Sequence, residues 1–219
     1  MRINRRYYLV ILSVLVLILA LSGCGRKEPQ EVKIGIMIPL SGQLAVYGEG
    51  VRDGALLAFD RVNAAGGIDG KQIVPVVVDN KADGAETANA LNKLITKDKV
   101  VAVVGPVISA TANVAGPIAV REEIPLVTPT ATAIEVTEVG EYVSRTCFLD
   151  DFQGSVMARF AAENLQAKKA AIIFDLANDY SIGLKDVFAK TFAEHGGEVV
   201  EIVSYTTGDS DFNAQLTKI

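Results

Sequence analysis

Apolar runs alternate with segments of helical periodicity along most of the chain, and this alternation restricts the possible folds more than any other feature. Val32–Ile38 has the length and the unbroken apolar character of a buried strand. Val51–Ala65 follows, with apolar residues at spacings of three and four that define one face of a helix. Gly66 and Gly67 end this helix, because glycine readily adopts the positive φ that a helix C-terminus needs.

The same strand and helix unit recurs along the rest of the chain. Such a pattern predicts parallel β-sheets whose strands are joined by right-handed helical crossovers. The strands are more numerous than one compact sheet of this length needs, so we predict an α/β fold of two Rossmann-like lobes, residues 32–149 and 150–219. The predicted strands are Val32–Ile38, Ile73–Val78, Val100–Gly105, Pro125–Thr128, Tyr142–Cys147, Ala170–Asp175 and Glu198–Tyr205. The predicted helices are Val51–Ala65, Ala85–Lys97, Ser109–Arg121, Phe152–Gln166, Ser181–Glu194 and Asp211–Ile219.

The last of these helices is still running at Ile219. We therefore expect a fragment or a truncated gene product, in which the second lobe is only partly present. A second lobe without its remaining strands is expected to expose apolar surface and to bind ligand poorly.

The first 31 residues predict export. Three arginines precede a 13-residue apolar run, Leu9–Leu21, which suits the core of a signal peptide and is shorter than the roughly 20 residues of a membrane-spanning helix. Small residues and then Cys24 follow the run, as in lipoprotein signals. We predict a signal peptide over residues 1–23, a lipidated Cys24 that anchors the chain to a bacterial membrane, and a linker over residues 24–31. The alternative is an ordinary cleaved signal with a coincidental cysteine.

Charge and cysteine content disfavour several classes of protein. Once the three N-terminal arginines are removed with the signal, 18 Lys and Arg remain against 26 Asp and Glu, a formal charge of −8. An acidic chain disfavours nucleic acid as a partner. Cys147 is the only cysteine besides Cys24, so no internal disulfide is expected. With His195 as the only histidine, the chain has too few ligands for a usual zinc site, and we predict neither a metal nor a cofactor.

Polar residues follow several predicted strands, where ligands bind in parallel α/β sheets. Ser109 opens the helix after the third strand. A hydroxyl and the free amides of a first helical turn suit a carboxylate or a phosphate there. Thr130 and Thr132 follow the fourth strand. Each residue has a structural alternative, namely a plain helix cap for Ser109 and local turn hydrogen bonds for the threonines.

Tyr47 and Tyr180 are predicted to stand in loops that follow strands. Tyrosine combines an apolar ring with a polar tip and suits the wall of a ligand site, although either ring also fits ordinary half-buried packing. Glu122-Glu123 and Asp150-Asp151 are interpreted as solvated ends of elements rather than catalytic pairs.

No enzyme is predicted. Gly48-Glu49-Gly50 begins like a dinucleotide fingerprint, but Asp53 occupies the third glycine position and the segment lies ten residues beyond Ile38. The fingerprint requires its glycines at the strand-to-helix turn itself. A catalytic triad would need His195, which lies far from the promising serines in the predicted layout. An exported Rossmann-like enzyme is therefore disfavoured.

Several segments along the chain resemble the same protein family, and together they are more specific than any single motif. They are Ile34-Gly35-Ile36, Pro39-Leu40-Ser41-Gly42, Tyr47-Gly48, Gly54-Ala55, residues 62–70, Val103-Val104-Gly105, residues 124–132, Arg145-Thr146 and Gln153-Gly154. With them, the chain resembles the type I periplasmic binding proteins, the family that includes the leucine/isoleucine/valine-binding proteins. The similarity runs in register from about Lys33 to Ile219.

The resemblance implies two lobes that close on a ligand at a hinge. By position, Ser109 and Thr132 correspond to residues that hold the carboxylate and amino groups of an amino acid, and Thr130 to a backbone carbonyl ligand of the ammonium. Tyr47 corresponds to a wall of the side-chain pocket and Tyr180 to a contact from the second lobe.

The resemblance also places Asp150 near the hinge side of the cleft. Two departures matter. Ala82 and Ile108 stand where closely related members have a disulfide. The acidic residue that members use for the ammonium would lie beyond Ile219, as would later pocket aromatics.

We accordingly expect an extracytoplasmic solute-binding receptor for an ABC importer, with a branched-chain or other small aliphatic amino acid as ligand. Its expected partners are an inner-membrane permease and the membrane that holds the lipid anchor. The alternative is a sensing module of the same fold that binds amides, urea or small organic acids and signals to a membrane partner. Cytoplasmic repressors share this lobe architecture, but they begin with a helix-turn-helix where this chain has a signal peptide.

Overall fold

A computed structural model describes residues 31–219. The predicted signal peptide over residues 1–23, Cys24 and nearly all of the predicted linker lie outside these described residues.

The first sheet has five parallel strands in the order β2-β1-β3-β4-β5. A helix follows each of the first four strands. The strands are β1 (Glu31–Ile38), β2 (Gln72–Asp79), β3 (Ala102–Val104), β4 (Leu126–Thr128) and β5 (Val143–Arg145). The helices are α1 (Ala45–Ala64), α2 (Gly84–Lys93, continued by one π-helical turn, Leu94–Asp98), α3 (Ser109–Arg121) and α4 (Glu135–Glu138).

The second sheet has two parallel strands among the described residues, β6 (Lys169–Asp175) and β7 (Glu198–Tyr205). The helix α5 (Asp150–Arg159, continued by the π-helical turn Phe160–Asn164) leads into β6. The helix α6 (Asp179–Glu194) connects β6 to β7, and α7 (Asn213–Leu216) follows β7. The last helix is therefore shorter than the predicted Asp211–Ile219.

Residues on β1 show why the first sheet is covered on both faces. Successive side chains of a strand point to opposite faces. Ile36 and Ile38 are fully buried on one face, against Val51, Phe59 and neighbours from α1. Met37 is fully buried on the other face, in a larger core that includes Leu91, Leu94 and the alanine-rich side of α3. A strand buried on both faces is continuously apolar rather than alternating, which explains its sequence.

Small residues allow the helices to pack closely. A Cβ built on Gly35 would lie 3.0 Å from Leu94 Cδ1, so β1 and the end of α2 meet without room for a side chain. In the part of the chain that forms the second sheet, a Cβ built on Gly154 of α5 would lie 2.8 Å from Val187 Cβ of α6. These contacts fix the positions of α2 and α6 relative to the strand ends.

The predicted mixed α/β fold with parallel sheets is confirmed. The predicted strand Tyr142–Cys147 is shorter in the structure, and Cys147 lies after β5 rather than inside a strand. Within residues 31–219, no helix combines the length and apolar character that membrane crossing requires.

Candidate functional site

Ser109 lies at the carboxyl edge of the first sheet, as the first residue of α3. It is almost completely buried, with 3% of its surface exposed. Its hydroxyl accepts a hydrogen bond from the Ala133 backbone N–H at 3.2 Å. The structural alternative, in which Ser109 is a plain cap of its own helix, does not hold, because Ile108 occupies the cap position and the Ser109 hydroxyl accepts a hydrogen bond from the neighbouring loop. This hydroxyl can still donate its own hydrogen to a second group.

Thr130 and Thr132 lie on the loop that follows β4, next to Ser109. The Thr130 hydroxyl donates to the Val107 carbonyl at 2.5 Å, so this side chain is used within the protein. Thr132 is buried, and its carbonyl accepts the backbone N–H of Asp150 at 3.1 Å. The structure therefore places Ser109 and Thr132 at neighbouring strand ends of one sheet.

Asp150 is the first residue of α5 and is 1% exposed. The interpretation of Asp150 as a solvated helix end is wrong, because α6 covers it: a Cβ on Gly183 would lie 3.1 Å from its Oδ2. Neither carboxylate oxygen has a hydrogen-bond partner of regular geometry among the described residues. Burial raises the pKa of Asp150, although the nearby Thr132 hydroxyl and the Arg145 guanidinium oppose this effect.

The two tyrosines are in helices, not in loops. Tyr47 belongs to the first turn of α1 and is 60% exposed. Tyr180 belongs to the first turn of α6, and its hydroxyl accepts a hydrogen bond from the Gln153 side chain at 2.6 Å. Both helices begin earlier than the apolar periodicity indicates, because their first turns are polar or exposed and carry no periodic signal.

One hydrogen bond near the site joins the part of the chain that forms the first sheet to the part that forms the second sheet. Asn113 Nδ2 on α3 donates to Asp179 Oδ2 at the start of α6, at 2.8 Å. Tyr180 is the next residue after Asp179, so this contact holds the first turn of α6, which contains Tyr180, next to α3. Neither Asn113 nor Asp179 was a candidate from sequence, because two surface residues 66 positions apart carry no pattern.

A second feature without a sequence signal is Asp79, at the end of β2. Its carboxylate accepts hydrogen bonds from the Leu40 N–H (2.8 Å), the Ser41 hydroxyl (2.7 Å) and the Lys81 N–H (2.8 Å). Burial disfavours the ionised form, but these hydrogen bonds outweigh it and lower the pKa of Asp79. Asp79 thus fixes the loop that leads from β1 to Tyr47.

The remaining groups give no chemical site in the part of the chain that the structure describes. Cys147 is a free thiol whose sulfur contacts the Ala131 carbonyl at 3.5 Å, and burial raises its pKa. His195 ends α6, where its Nδ1 lies 2.9 Å from the Thr191 carbonyl. Residues 31–219 contain no cluster of three or more His, Cys, Asp or Glu that could hold a metal.

Comparison with known proteins agrees with this geometry. The family model described as "Periplasmic binding protein" matches residues 31–219. The Leu/Ile/Val-binding protein BraC3 of Rhizobium johnstonii is 37% identical over 192 residues, which cover 86% of this chain and 51% of that protein.

Two solved structures extend the comparison. One is the branched-chain amino acid transporter substrate binding protein LivJ of Streptococcus pneumoniae in complex with isoleucine, with a TM-score of 0.80 and 41% identity over 87% of this chain and 54% of that one. The other is a solute binding protein of an ABC transporter from Rhodopseudomonas palustris in complex with 3,4-dihydroxybenzoic acid, with a TM-score of 0.77 and 26% identity over 86% of this chain and 51% of that one.

The chain thus spans about half the length of the proteins that it matches. The match still covers both sheets and every candidate residue from Tyr47 to Tyr180. Family membership implies an extracytoplasmic location, and the members compared are substrate-binding proteins. On the combined fold, site geometry and family match, this chain belongs to the periplasmic binding protein family.

Proposed function

We propose that this chain carries the ligand-binding part of an extracytoplasmic receptor for an ABC importer, and that its ligand is a branched-chain or other small aliphatic amino acid. The observation that carries the proposal is the buried Asp150 carboxylate, which has no regular hydrogen-bond partner and lies beside Thr132. Burial of an ionised carboxylate is costly, and a ligand ammonium would supply a direct hydrogen-bond donor to oxygens that have none of regular geometry among residues 31–219.

The other end of an amino acid fits α3. The first-turn amides of a helix have no intrahelical acceptor and carry a partial positive charge. Ala112 N–H is bonded to the Ile108 carbonyl at 3.0 Å, so the amides that precede it in the turn have no acceptor within the helix. Together with the Ser109 hydroxyl, these donors suit a carboxylate.

The site therefore offers an acceptor for an ammonium and donors for a carboxylate at neighbouring strand ends. Tyr47 lies on α1, which starts at the carboxyl end of β1 in the first sheet, and Tyr180 lies on α6, which starts at the carboxyl end of β6 in the second sheet. We propose that their rings enclose the ligand side chain. The proposal agrees with the named ligands of BraC3 and with the isoleucine of the LivJ complex.

Isothermal titration of a full-length version of the protein tests the proposal. Leucine, isoleucine, valine and alanine are compared with benzoate, acetamide and urea. Binding of at least one aliphatic amino acid, with weaker binding of ligands that lack the ammonium, supports the proposal. Absence of heat with every aliphatic amino acid contradicts it.

A second ligand class is favoured by one specific comparison. The Rhodopseudomonas palustris neighbour has a dihydroxybenzoic acid, which contains a carboxylate and no ammonium. A sensor or receptor for small organic acids would use the donors of α3 and leave Asp150 without a partner. Binding of benzoate but not of leucine in the same titration would select this alternative.

Membrane attachment is a separate part of the proposal. We propose that Cys24 carries the lipid anchor and that a permease in the membrane takes the ligand from the closed form. Metabolic labelling with a tagged fatty acid tests the anchor: Cys24→Ser should abolish the label, whereas Cys147→Ser should retain it. A label that persists in Cys24→Ser would exclude Cys24 as its site.

A further inference from the structure

We propose that Arg145 is the positioning residue of the ligand site, which fixes the loop that presents Thr130 and Thr132 and places a positive charge beside Asp150. The proposal deepens the function proposed above and rests on it. Arg145 itself does not contact the ligand in this scheme.

The guanidinium of Arg145 spans the loop after β4. Its Nη1 donates to the Ala131 carbonyl at 2.9 Å, and its Nη2 donates to the Ile134 carbonyl at 3.0 Å and to the Thr137 hydroxyl at 2.7 Å. One rigid group therefore binds the loop on both sides of Thr132. A planar fork of fixed donors can hold two carbonyls at a set separation, which a flexible ammonium cannot.

The loop has further anchors, which show how it is constrained. Ala131 N–H donates to the Thr128 hydroxyl at 3.1 Å, and Ala133 N–H donates to the Ser109 hydroxyl at 3.2 Å. The bonds to Thr128 and Ser109 come from the two residues that flank Thr132, and Arg145 binds one of these residues, Ala131, together with Ile134 and Thr137 farther along the chain. Among these anchors only Arg145 carries a charge and reaches from β5, so it couples the edge strand to the site.

Arg145 also determines the electrostatics of Asp150. Burial disfavours the charged form of Asp150, and Glu135 on α4 and Asp151 on α5 add negative charge. Arg145 on β5 is the positive group that acts against them, and α6 contributes the backbone of Gly183 at the carboxylate. Loss of the guanidinium would leave three effects that favour a neutral Asp150, which cannot pair with an ammonium.

The test compares Arg145→Met and Arg145→Lys with the matched control Arg121→Met. Arg121 is an exposed arginine whose ion pair is with its neighbour Glu122. Leucine affinity is measured by titration over a pH series. The carboxyl of Asp150 is followed by NMR without ligand, and hydrogen exchange is measured at the Ala133 amide.

We expect Arg145→Met to weaken leucine binding by about tenfold or more, because the loop that presents Thr132 loses three hydrogen bonds and the charged form of Asp150 loses its positive neighbour. The pH at which affinity is half-lost should move upward, because Asp150 then protonates more readily. Arg145→Lys keeps the charge, so it should largely retain the wild-type pH midpoint but accelerate exchange at Ala133. Arg121→Met should change none of these quantities.

An unchanged pH midpoint and unchanged Asp150 titration in Arg145→Met would overturn the electrostatic role. Unchanged exchange at Ala133 in both variants would overturn the loop role. If the wild-type protein binds no amino acid, the proposed function fails, while the ligand-free NMR and exchange measurements still decide the role of Arg145. If Arg145→Met does not fold, Arg145→Gln, which also removes the charge, carries the electrostatic test. Arg145→Lys and Thr137→Val, which removes one acceptor of the guanidinium, carry the test of the loop role.

Discussion

The side-chain amide of Asn113 donates a hydrogen bond to the carboxylate of Asp179 at 2.8 Å, across 66 positions of sequence. Asn113 belongs to α3 beside the first sheet, and Asp179 begins α6 beside the second. We propose that the parts of the chain that form the two sheets are lobes that close on the ligand; a bond between them would then favour the closed arrangement and raise ligand affinity.

Asn113→Ala should accordingly weaken ligand binding by about two- to tenfold, the size of one hydrogen bond to a charged group at the surface. Titration calorimetry measures the change. The matched control is Asn92→Ala, which replaces an exposed asparagine of α2 on the same unit. Equal affinities of wild type and Asn113→Ala would show that the bond makes no difference to closure.

Ser109→Ala should lower both stability and ligand affinity. The Ala133 N–H that donates to Ser109 at 3.2 Å would be left buried without an acceptor, which costs about 1–3 kcal/mol of unfolding free energy. A comparable loss of binding free energy is expected if the hydroxyl also donates to the ligand carboxylate. Urea unfolding and titration measure the two effects separately. Ser210→Ala, on an exposed loop, is the control. A stability loss without an affinity loss would make Ser109 purely structural.

The burial of Asp150 leads us to predict how the free energy of unfolding changes with pH. Because burial raises the pKa of Asp150 in the folded protein, the folded state binds this proton more tightly than the unfolded state. The contribution of Asp150 to the free energy of unfolding therefore falls as pH rises from the ordinary aspartate pKa through the raised one.

Asp150→Asn removes this ionisation. The ligand-free variant should be more stable than wild type at neutral pH, and the stability difference should shrink as pH falls. Its ligand affinity should drop by about 1.5–3 kcal/mol, because the charged partner of the ammonium is lost. Thermal unfolding over a pH series and titration at neutral pH measure both changes. Asp60→Asn, at an exposed position of α1, is the control, and a stability difference that does not depend on pH would contradict the argument.

Replacement of two glycines by alanine should change the free energy of unfolding in opposite directions. A Cβ at Gly154 would lie 2.8 Å from Val187 Cβ, so Gly154→Ala must displace α5 from α6 and should cost about 1–3 kcal/mol of unfolding free energy. A Cβ at Gly50 of α1 meets nothing within 4 Å. Gly50→Ala should therefore stabilise the helix by about 0.5–1 kcal/mol. Urea unfolding of both variants is the measurement, and a neutral Gly154→Ala would mean that the helices adjust without strain.

The candidate ligand site could be predicted only in part from the sequence. Ser109, Thr130 and Thr132 were found because hydroxyls after strands of a parallel sheet converge on one edge, a rule that requires no coordinates. The burial of Asp150 was missed, because a carboxylate at a helix start usually faces water and only the later helix α6 covers it. Arg145 was noted within a matching segment, but its three hydrogen bonds run to residues 8 to 14 positions away in a loop of no regular pattern.

By itself the sequence determined the alternation of strands and helices and the parallel pairing, and it predicted the edge at which a ligand would bind. These properties follow from the spacing of apolar residues and from local backbone preferences, which the chain encodes within a few residues. Only the tertiary structure decided which buried polar groups lack hydrogen-bond partners. It also decided that Arg145 donates hydrogen bonds to the loop around Thr132 and that Asn113 donates one to Asp179. Hydrogen bonding and desolvation depend on distances between residues far apart in sequence, and only the packed chain sets those distances.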